Sequence, residues 1–162
     1  MKTLLVLRHA KSSWSDSALS DAERRLNKRG KRDAPRMGQL VRDERLTPEL
    51  IISSTAKRAE STAKRVAKSC RYKGEIELDE ALYLGGLPGY RTVQRIPDVI
   101  DCAMIIGHNP DMEALIEALT GRYKRMPTAA LAQIELPIDH WRDLELTGTY
   151  RLVNLWRPKE IA

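Results

Sequence analysis

Two histidines and two arginines of this 162-residue chain stand at or just after the ends of hydrophobic runs. Arg8 and His9 directly follow the first run, and His108 follows a later one. Arg58 comes a few residues after a third run, behind a pair of serines. Guanidinium groups bind phosphate oxygens in pairs, and the N–H groups of a helix N-terminus add a positive dipole. If the ends of these runs meet, the sequence predicts a site that binds a phosphoryl group.

The hydrophobic runs predict the elements that position these residues. Six of them are interpreted as strands: Leu4–Leu7, Leu50–Ile52, Glu75–Leu78, Ala103–Ile106, Ala129–Leu136 and Tyr150–Trp156. Apolar runs that alternate with helical patterns are typical of strands covered by helices on both faces. The sequence therefore predicts one α/β domain over residues 1–162, a three-layer α/β/α sandwich with a mainly parallel central sheet. Ligands collect at the carboxyl ends of such strands, which is where the four residues fall.

Three helix starts are predicted from capping residues. Asn27 caps a helix that runs to about Glu44, and Pro35 inside it is expected to kink or divide it. Thr55 caps the second helix, whose small apolar residues form one stripe. Asn109 caps another helix, with a proline at its first position and an acid in its first turn. These last two helices begin beside two of the strand ends.

Composition and charge narrow the classes of function. The net charge of +6 and the pI near 9.5 describe a basic surface that suits acidic or phosphorylated partners. Aromatic residues are few and none interleaves with the basic runs, so nucleic-acid binding is not expected. No stretch approaches the roughly 20 apolar residues of a membrane helix. Cys70 and Cys102 have no paired or metal-like spacing, which predicts free, buried thiols in a reducing cytoplasm.

Four short blocks carry a more specific signal, because they occur in a fixed order between residues 7 and 110. They are Leu7–Ala10, Leu26–Gly30, Ser53–Ala63 and Gly107–Pro110. Together they resemble the signature blocks of the histidine phosphatase superfamily, the phosphoglycerate mutase-like enzymes. The short chain, the Arg-His-Ala wording and the Gly-His-Asn-Pro wording make it most similar to the SixA-type branch. Members of that branch remove phosphate from phosphohistidine on proteins, and the resemblance implies a phosphoglycerate mutase-like fold.

The resemblance also implies a catalytic role for each of the four residues. His9, neutral at one ring nitrogen, would attack phosphorus and become a phosphohistidine. Arg8, Arg58 and His108 would hold the non-bridging oxygens and neutralise the charge of the in-line transition state. Water would then release inorganic phosphate from His9. Because the arginines supply the positive charge, the mechanism needs no metal, and no other cofactor is expected.

Two more residues are candidate phosphate ligands. Asn109 is expected to act mainly as a helix cap, and its backbone N–H could also reach the phosphate. Ser15 follows Trp14, a few residues beyond the first block, where the mutases have an asparagine. Its hydroxyl could donate one hydrogen bond to phosphate, or the residue could simply form the turn.

One departure from the family pattern concerns the proton donor. Many phosphoglycerate mutase-like enzymes carry a glutamate after the third strand that protonates the leaving oxygen. Leu84 occupies that place here, and Glu80 is the nearby carboxylate that could replace it. An alkoxide leaves poorly without a proton, whereas a phosphoramidate nitrogen can be protonated from solvent. The sequence therefore favours a substrate with a P–N bond over a sugar phosphate.

The predicted function is that of a phosphohistidine phosphatase that acts on a phosphorylated partner protein and releases inorganic phosphate. Two alternatives stay open. A general phosphomonoesterase of the same fold would act on small phosphate esters, with Glu80 as its acid. A non-catalytic domain would only bind the phosphoprotein, although all four residues of the predicted pocket are intact.

Overall fold

The computed structural model describes residues 1–161, apart from the side chains of Leu84 and Pro88. The strands over this range are β1 (Lys2–Arg8), β2 (Leu50–Ser53), β3 (Ile76–Leu78), β4 (Cys102–Gly107), β5 (Leu131–Leu136) and β6 (Arg151–Trp156). Each predicted strand is present, with ends that differ from the prediction by at most two residues. The α-helices over the same range are α1 (Lys28–Asp43), α2 (Lys57–Cys70), α3 (Ala81–Leu84), α4 (Tyr90–Gln94) and α5 (Asp111–Thr120).

The described strands form one mixed sheet in the order β3-β2-β4-β1-β5-β6. Neighbouring strands from β3 to β1 are parallel, whereas β5 is antiparallel to both β1 and β6. The predicted mainly parallel sheet is therefore confirmed in part: four neighbouring strands are parallel, and the sheet as a whole is mixed because β5 is antiparallel. The burial of β5 partly alternates along its length, as is typical of a strand with one more exposed face.

Alternate residues of β1 face two separate helical layers. Leu5 and Leu7 pack in the hydrophobic cluster beneath α1 and α2. Leu4 and Val6 pack in the cluster beneath α4 and α5 on the other face. All four side chains are at most 1% exposed. The sheet is thus covered on both faces, as the three-layer prediction requires, and its parallel strands end at one common edge.

The predicted cap of α1 is confirmed, and the predicted cap of α2 is wrong. Asn27 caps α1 as predicted, because its side chain accepts a hydrogen bond from the backbone N–H of Gly30 at 2.9 Å. The predicted division of this helix at Pro35 does not occur, since packing of the buried face of α1 against α2 offsets the lost hydrogen bond. Thr55 does not cap α2, which begins after Ala56.

The turn before β5 closes over the end of β1. Ala129 was predicted to begin this strand, but it lies outside β5 and has a left-handed φ of 63°. Its backbone N–H is shared between the carbonyls of Arg8 and His9, at 3.1 and 3.0 Å. A left-handed alanine is disfavoured, so these hydrogen bonds help to hold the turn. The same hydrogen bonds fix the backbone of Arg8, which ends β1, and of His9, which follows it.

The two cysteines are free thiols, as predicted. Cys70 is buried, whereas Cys102 is only partly buried. Burial raises the pKa of the Cys102 thiol to about 12, so this group stays protonated at neutral pH. Between residues 1 and 161, none of the helices has both the length and the apolar character that a membrane span requires.

Candidate active site

The carboxyl ends of the three strands β2, β4 and β1 lie side by side and bring the predicted residues together. The backbone N–H of His9 donates to the carbonyl of Gly107 at 3.0 Å, and that of Ser54 donates to the carbonyl of Ile106 at 2.9 Å. These strand-to-strand bonds place His9 beside His108, with 5.0 Å between their ring centroids. Both imidazoles are buried, at 6% and 7% exposure.

His9 has one nitrogen that is engaged and one that is available. Its Nδ1 lies 2.7 Å from the carbonyl oxygen of Ala10. Because a carbonyl can only accept, Nδ1 carries the proton and the neutral ring has its lone pair on Nε2. Burial, with smaller contributions from His108, Arg58 and Arg8, lowers the pKa of His9 to about 3. At neutral pH the side chain is therefore an uncharged imidazole whose Nε2 can act as a nucleophile.

A serine holds the Nε2 nitrogen of His108, which leaves Nδ1 as the available ring nitrogen. Its Nε2 lies 2.7 Å from Oγ of Ser54, and the same Oγ accepts a hydrogen bond from the backbone N–H of Ala56 at 3.2 Å. The serine hydroxyl can therefore donate to Nε2, which leaves the proton of neutral His108 on Nδ1. Burial, followed by the nearby Arg58, lowers the pKa of His108 to about 4. The available nitrogen of His108 is thus a neutral hydrogen-bond donor.

Three buried nitrogens around His9 have no hydrogen-bond partner among residues 1–161. They are Nε of Arg8, Nε of Arg58 and Nδ1 of His108. The remaining contacts orient the arginines: Nη1 of Arg8, for example, donates to the carbonyl of Met126 at 3.1 Å. Buried polar groups are nearly always paired, because leaving them unpaired costs free energy. An oxyanion with several acceptor oxygens is the kind of ligand that suits such donors.

Asp21 is a functional candidate that the sequence analysis missed. Nη1 of Arg58 donates to its backbone carbonyl at 2.7 Å, and Nη2 donates to its Oδ2 at 3.0 Å. The hydroxyl of Tyr83 also donates to Oδ2, at 2.7 Å, and Arg24 binds Oδ1 at 3.1 and 3.2 Å. The hydrogen bonds from Tyr83, Arg58 and Arg24 hold the pKa of this carboxyl far below its usual range. A permanent anion therefore binds the outer edge of Arg58.

A weak sequence signal for Asp21 did exist. Ser20 and Glu23 form a capping box, in which the backbone N–H of Ser20 donates to Oε1 of Glu23 at 3.2 Å. The spacing of a serine and a glutamate three residues apart is a recognised start of a helical turn. Here it holds a short 3-10 turn, Asp21–Glu23, in which Asp21 is the first residue. The pattern could have predicted the turn, but not its contact with Arg58.

The two further phosphate-ligand candidates lie in different surroundings. Asn109 does not cap α5, whose N-cap position is Pro110, so that prediction is wrong. Its side-chain amide instead donates to the carbonyl of Met126 at 2.9 Å, beside Arg8. Ser15 is exposed and its hydroxyl lies 2.8 Å from that of Ser13. The structure gives Ser15 no hydrogen bond to the two histidines or to either arginine within residues 1–161.

The segment after β3, which includes Glu80 and Leu84, also reaches this edge of the sheet. Glu80 is exposed, immediately before α3, and the side chain of Leu84 lies outside the described part of the chain. Tyr83 of this segment contacts the site, with its ring centroid 5.3 Å from that of His108. The hydrogen bond to Asp21 raises the pKa of the Tyr83 phenol. Tyr83 is therefore a neutral hydrogen-bond donor at physiological pH.

Comparisons with known proteins agree with this geometry. Residues 4–83 match the sequence profile of the histidine phosphatase superfamily, branch 1. An uncharacterised protein of Mycobacterium tuberculosis is 29% identical over 168 residues, which cover 94% of this chain and 100% of that protein. A structure assigned as the phosphohistidine phosphatase SixA of Agrobacterium tumefaciens has a TM-score of 0.82 and 27% identity, covering 97% of this chain and 98% of that one. The protein histidine phosphatase SixA in complex with tungstate shares the fold, with a TM-score of 0.82, 19% identity and 97% of each chain covered.

Proposed function

The chain belongs to the histidine phosphatase superfamily and is a phosphatase of its SixA-type branch, and on that premise we propose that it dephosphorylates a phosphorylated histidine on a partner protein. The observation that supports this most directly is the pairing of a neutral nucleophile with buried donors. His9 presents an unprotonated Nε2, and the three neighbouring side chains whose charges act on it, Arg8, Arg58 and His108, each have a buried nitrogen without a partner among the described residues. This arrangement suits attack on a phosphorus atom whose oxygens are held by those donors.

The reaction proceeds in two displacements at phosphorus. In the first, the Nε2 lone pair of His9 forms a bond to phosphorus while the P–N bond to the substrate imidazole breaks. The electron pair of that bond stays on the leaving nitrogen, which takes a proton from solvent. In the second, water attacks phosphorus, the bond to Nε2 breaks, and inorganic phosphate leaves. His9 returns to its neutral form at the end of the cycle.

The cluster stabilises the transition state through charge and preorganised donors. Arg8 and Arg58 each offer a buried Nε–H, and His108 offers Nδ1–H, to the non-bridging oxygens. These donors are worth more in a buried site than in water because the surrounding dielectric is low. Asp21 binds the outer edge of the Arg58 guanidinium and leaves the Nε edge for the phosphoryl group.

The side chains near the site that could donate a proton to a leaving group favour a P–N substrate over an ester. The segment after β3 brings Tyr83 to the site, and the pKa of this phenol is raised, which makes it a poor acid. Glu80, the alternative acid, is exposed to solvent. An alkoxide leaving group needs a proton from the enzyme, whereas an imidazole nitrogen takes its proton from water. This difference supports phosphohistidine as the substrate.

A comparison of two substrates tests the proposal. Wild-type protein and His9→Ala are assayed on a phosphohistidine-bearing protein and on para-nitrophenyl phosphate. The expected result is phosphate release from the phosphoprotein that greatly exceeds release from the ester and is absent in His9→Ala. Ester turnover that equals or exceeds phosphoprotein turnover would instead identify a general phosphomonoesterase, and Glu80→Gln would then be expected to lower it. Binding of the phosphoprotein without His9-dependent release would identify a non-catalytic binding domain.

A further inference from the structure

A groove lined by cations begins beside the phosphate-binding arginine. Two surface cavities, with volumes of about 360 and 390 Å³, share Arg25, Leu26 and Lys31 and therefore lie side by side as one extended depressed surface. Five cationic side chains line this depression, which we call the basic groove: Arg25, Lys31, Lys57, Lys64 and Arg65. They come from the segment before α1, from the first turn of α1 and from one face of α2.

The positive charge of the groove is only partly neutralised. The carboxylates that line it are Glu60, which lies 3.7 Å from Lys64, and Asp16 at its far end. Over residues 1–161, Arg25, Lys31 and Lys57 have no carboxylate within salt-bridge distance, and all three are exposed. Neighbouring cations repel each other, so a partner with several negative charges would be attracted to this surface.

Two residues of the groove are direct sequence neighbours of residues at the catalytic site. Lys57 directly precedes Arg58, and Arg25 directly follows Arg24, which binds Asp21. Arg24 in turn stacks under Trp14, with 3.4 Å between the guanidinium carbon and the ring centroid. Trp14 is 72% exposed. Exposed tryptophan beside arginine is the composition of an energetic hot spot at protein–protein interfaces.

Resting on the proposed function, we propose that the basic groove and Trp14 are the docking surface for an acidic segment of the phosphoprotein substrate. Carboxylates of the partner lie along the groove while its phosphohistidine reaches His9, and an apolar side chain of the partner packs on Trp14. A small phosphate ester would have no use for such a surface, because the buried donors alone would hold it. A protein fits better than a nucleic acid, since Trp14 is a single aromatic at one end of this surface and the described residues that line the groove offer no further aromatic on which successive bases could stack.

Two matched peptides test this surface. Both carry the same central phosphohistidine, and four flanking positions are glutamate in one peptide and glutamine in the other. Wild-type protein is expected to hydrolyse the glutamate peptide with a kcat/KM about tenfold higher, since attraction between opposite charges raises the association rate. Raising the salt concentration from 50 to 500 mM should reduce that ratio towards one, with the screening length falling accordingly.

Charge reversal inside and outside the groove locates the effect. Lys31→Glu/Lys57→Glu is expected to bring the tenfold ratio to about one or below. Lys68→Glu/Lys73→Glu makes the same change in net charge at exposed lysines that do not line the groove, and it should keep the ratio. Trp14→Ala should raise KM for both peptides alike, and Trp14→Phe should restore it. A preference that both double variants lose equally would mean that the net charge, and not the groove, attracts the peptide.

A binding measurement separates this inference from the proposed function. His9→Ala binds fluorescent forms of the two peptides without turning them over, so fluorescence anisotropy reports the preference even if hydrolysis fails. Tighter binding of the glutamate peptide without hydrolysis by wild type would overturn the proposed function and support the groove. Hydrolysis with equal kcat/KM for both peptides would support the function and overturn the groove. If Lys31→Glu/Lys57→Glu loses affinity only for a 20-nucleotide uridine RNA, the groove binds nucleic acid and the inference is wrong.

Discussion

The two edges of the Arg58 guanidinium lie in opposite environments. On the inner edge, Nε is buried without a partner among the described residues, close to two neutral histidines. On the outer edge, Nη1 and Nη2 both bind Asp21, a carboxylate whose side chain is 49% exposed. One edge thus leaves its nitrogen without a partner, and the other pairs both of its nitrogens with Asp21.

This difference separates the part of the site that acts from the part that positions it. The inner residues come from the ends of buried strands, and their unpaired donors cost stability that only a bound oxyanion would return. The outer contacts come from loops, where partly exposed ion pairs add little stability. Their effect is to orient the guanidinium. Variants on the two edges should therefore change activity in different ways.

Removal of the arginine itself should have the largest effect. Arg58→Ala is expected to lower kcat/KM about 10²- to 10³-fold, because a donor to the transition-state oxygens is lost. Arg58→Lys should recover little, since an ammonium cannot bind Asp21 and the phosphoryl group with two separate edges. Arg91→Ala removes an exposed arginine of α4 and should leave kcat/KM unchanged. A loss below threefold in Arg58→Ala would contradict the assigned role.

Removal of the outer partner should have a smaller effect of the same sign. Asp21→Ala is expected to lower kcat about 10- to 100-fold, because the guanidinium loses its orientation. Asp139→Ala, at an exposed carboxylate remote in sequence, serves as the control. Steady-state kinetics with added phosphate as a product inhibitor measures whether Asp21 orients Arg58 or competes with the phosphoryl group for it. A rise in activity together with tighter phosphate inhibition would mean that Asp21 competes with the phosphoryl group for Arg58.

The inner edge should also be visible in the dependence of stability on pH. Burial lowers the pKa of His9 to about 3 and that of His108 to about 4. As the pH falls below about 6.5, the unfolded chain takes up protons at these histidines and the folded protein does not. The free energy of unfolding should therefore decrease as the pH falls, by about 2 kcal/mol per histidine between pH 7 and pH 5.

Urea denaturation at the two pH values measures this decrease in wild type and in His9→Gln. The glutamine variant removes one titrating group, so its stability should fall by about 2 kcal/mol less than that of wild type. An equal fall in both proteins would show that His9 titrates normally in the folded state. The inner edge would then not be a neutral environment.

The smallest effect is expected from the serine behind His108. Ser54→Ala removes the hydroxyl that holds Nε2 of His108, and kcat/KM should fall about tenfold as one hydrogen bond of roughly 1.4 kcal/mol is lost. Ser53→Ala is the matched control, because Ser53 is equally buried and its hydroxyl donates to the carbonyl of Ser54 instead of a histidine. Nitrogen chemical shifts should show the Nδ1–H tautomer of His108 in wild type and in Ser53→Ala. The same tautomer in Ser54→Ala would argue against a positioning role.

The inner edge could be predicted from the sequence and the outer edge could not. Arg8, His9 and His108 follow apolar runs, and parallel strands carry such residues to one edge whatever the loops do. Asp21 meets Arg58 and Tyr83 across 37 and 62 residues of chain, through loops whose paths have no hydrophobic period. The phosphate-binding roles of these residues, and that of Ser15, stay predictions.

The two wrong predictions of helix caps, Thr55 and Asn109, share a physical cause. Thr55 and Asn109 have the right chemistry for helix caps, but tertiary contacts determined the local backbone instead. The hydroxyl of Ser54 serves the N–H of Ala56, and the amide of Asn109 binds the carbonyl of Met126. Capping preferences describe isolated helix ends, and near this site the packing around the histidines overrides them.

The most direct test of the central claim is to trap the phosphoryl group on His9. Wild-type protein is mixed with a phosphohistidine peptide labelled in its phosphorus, and the reaction is quenched in alkali within its first turnover. The label should appear on His9 of the enzyme, in a form stable to alkali and labile to acid, before it appears in inorganic phosphate. It should be absent from His9→Ala and accumulate in no other residue. Label that passes directly to phosphate, or that marks a different side chain, would contradict His9 as the nucleophile.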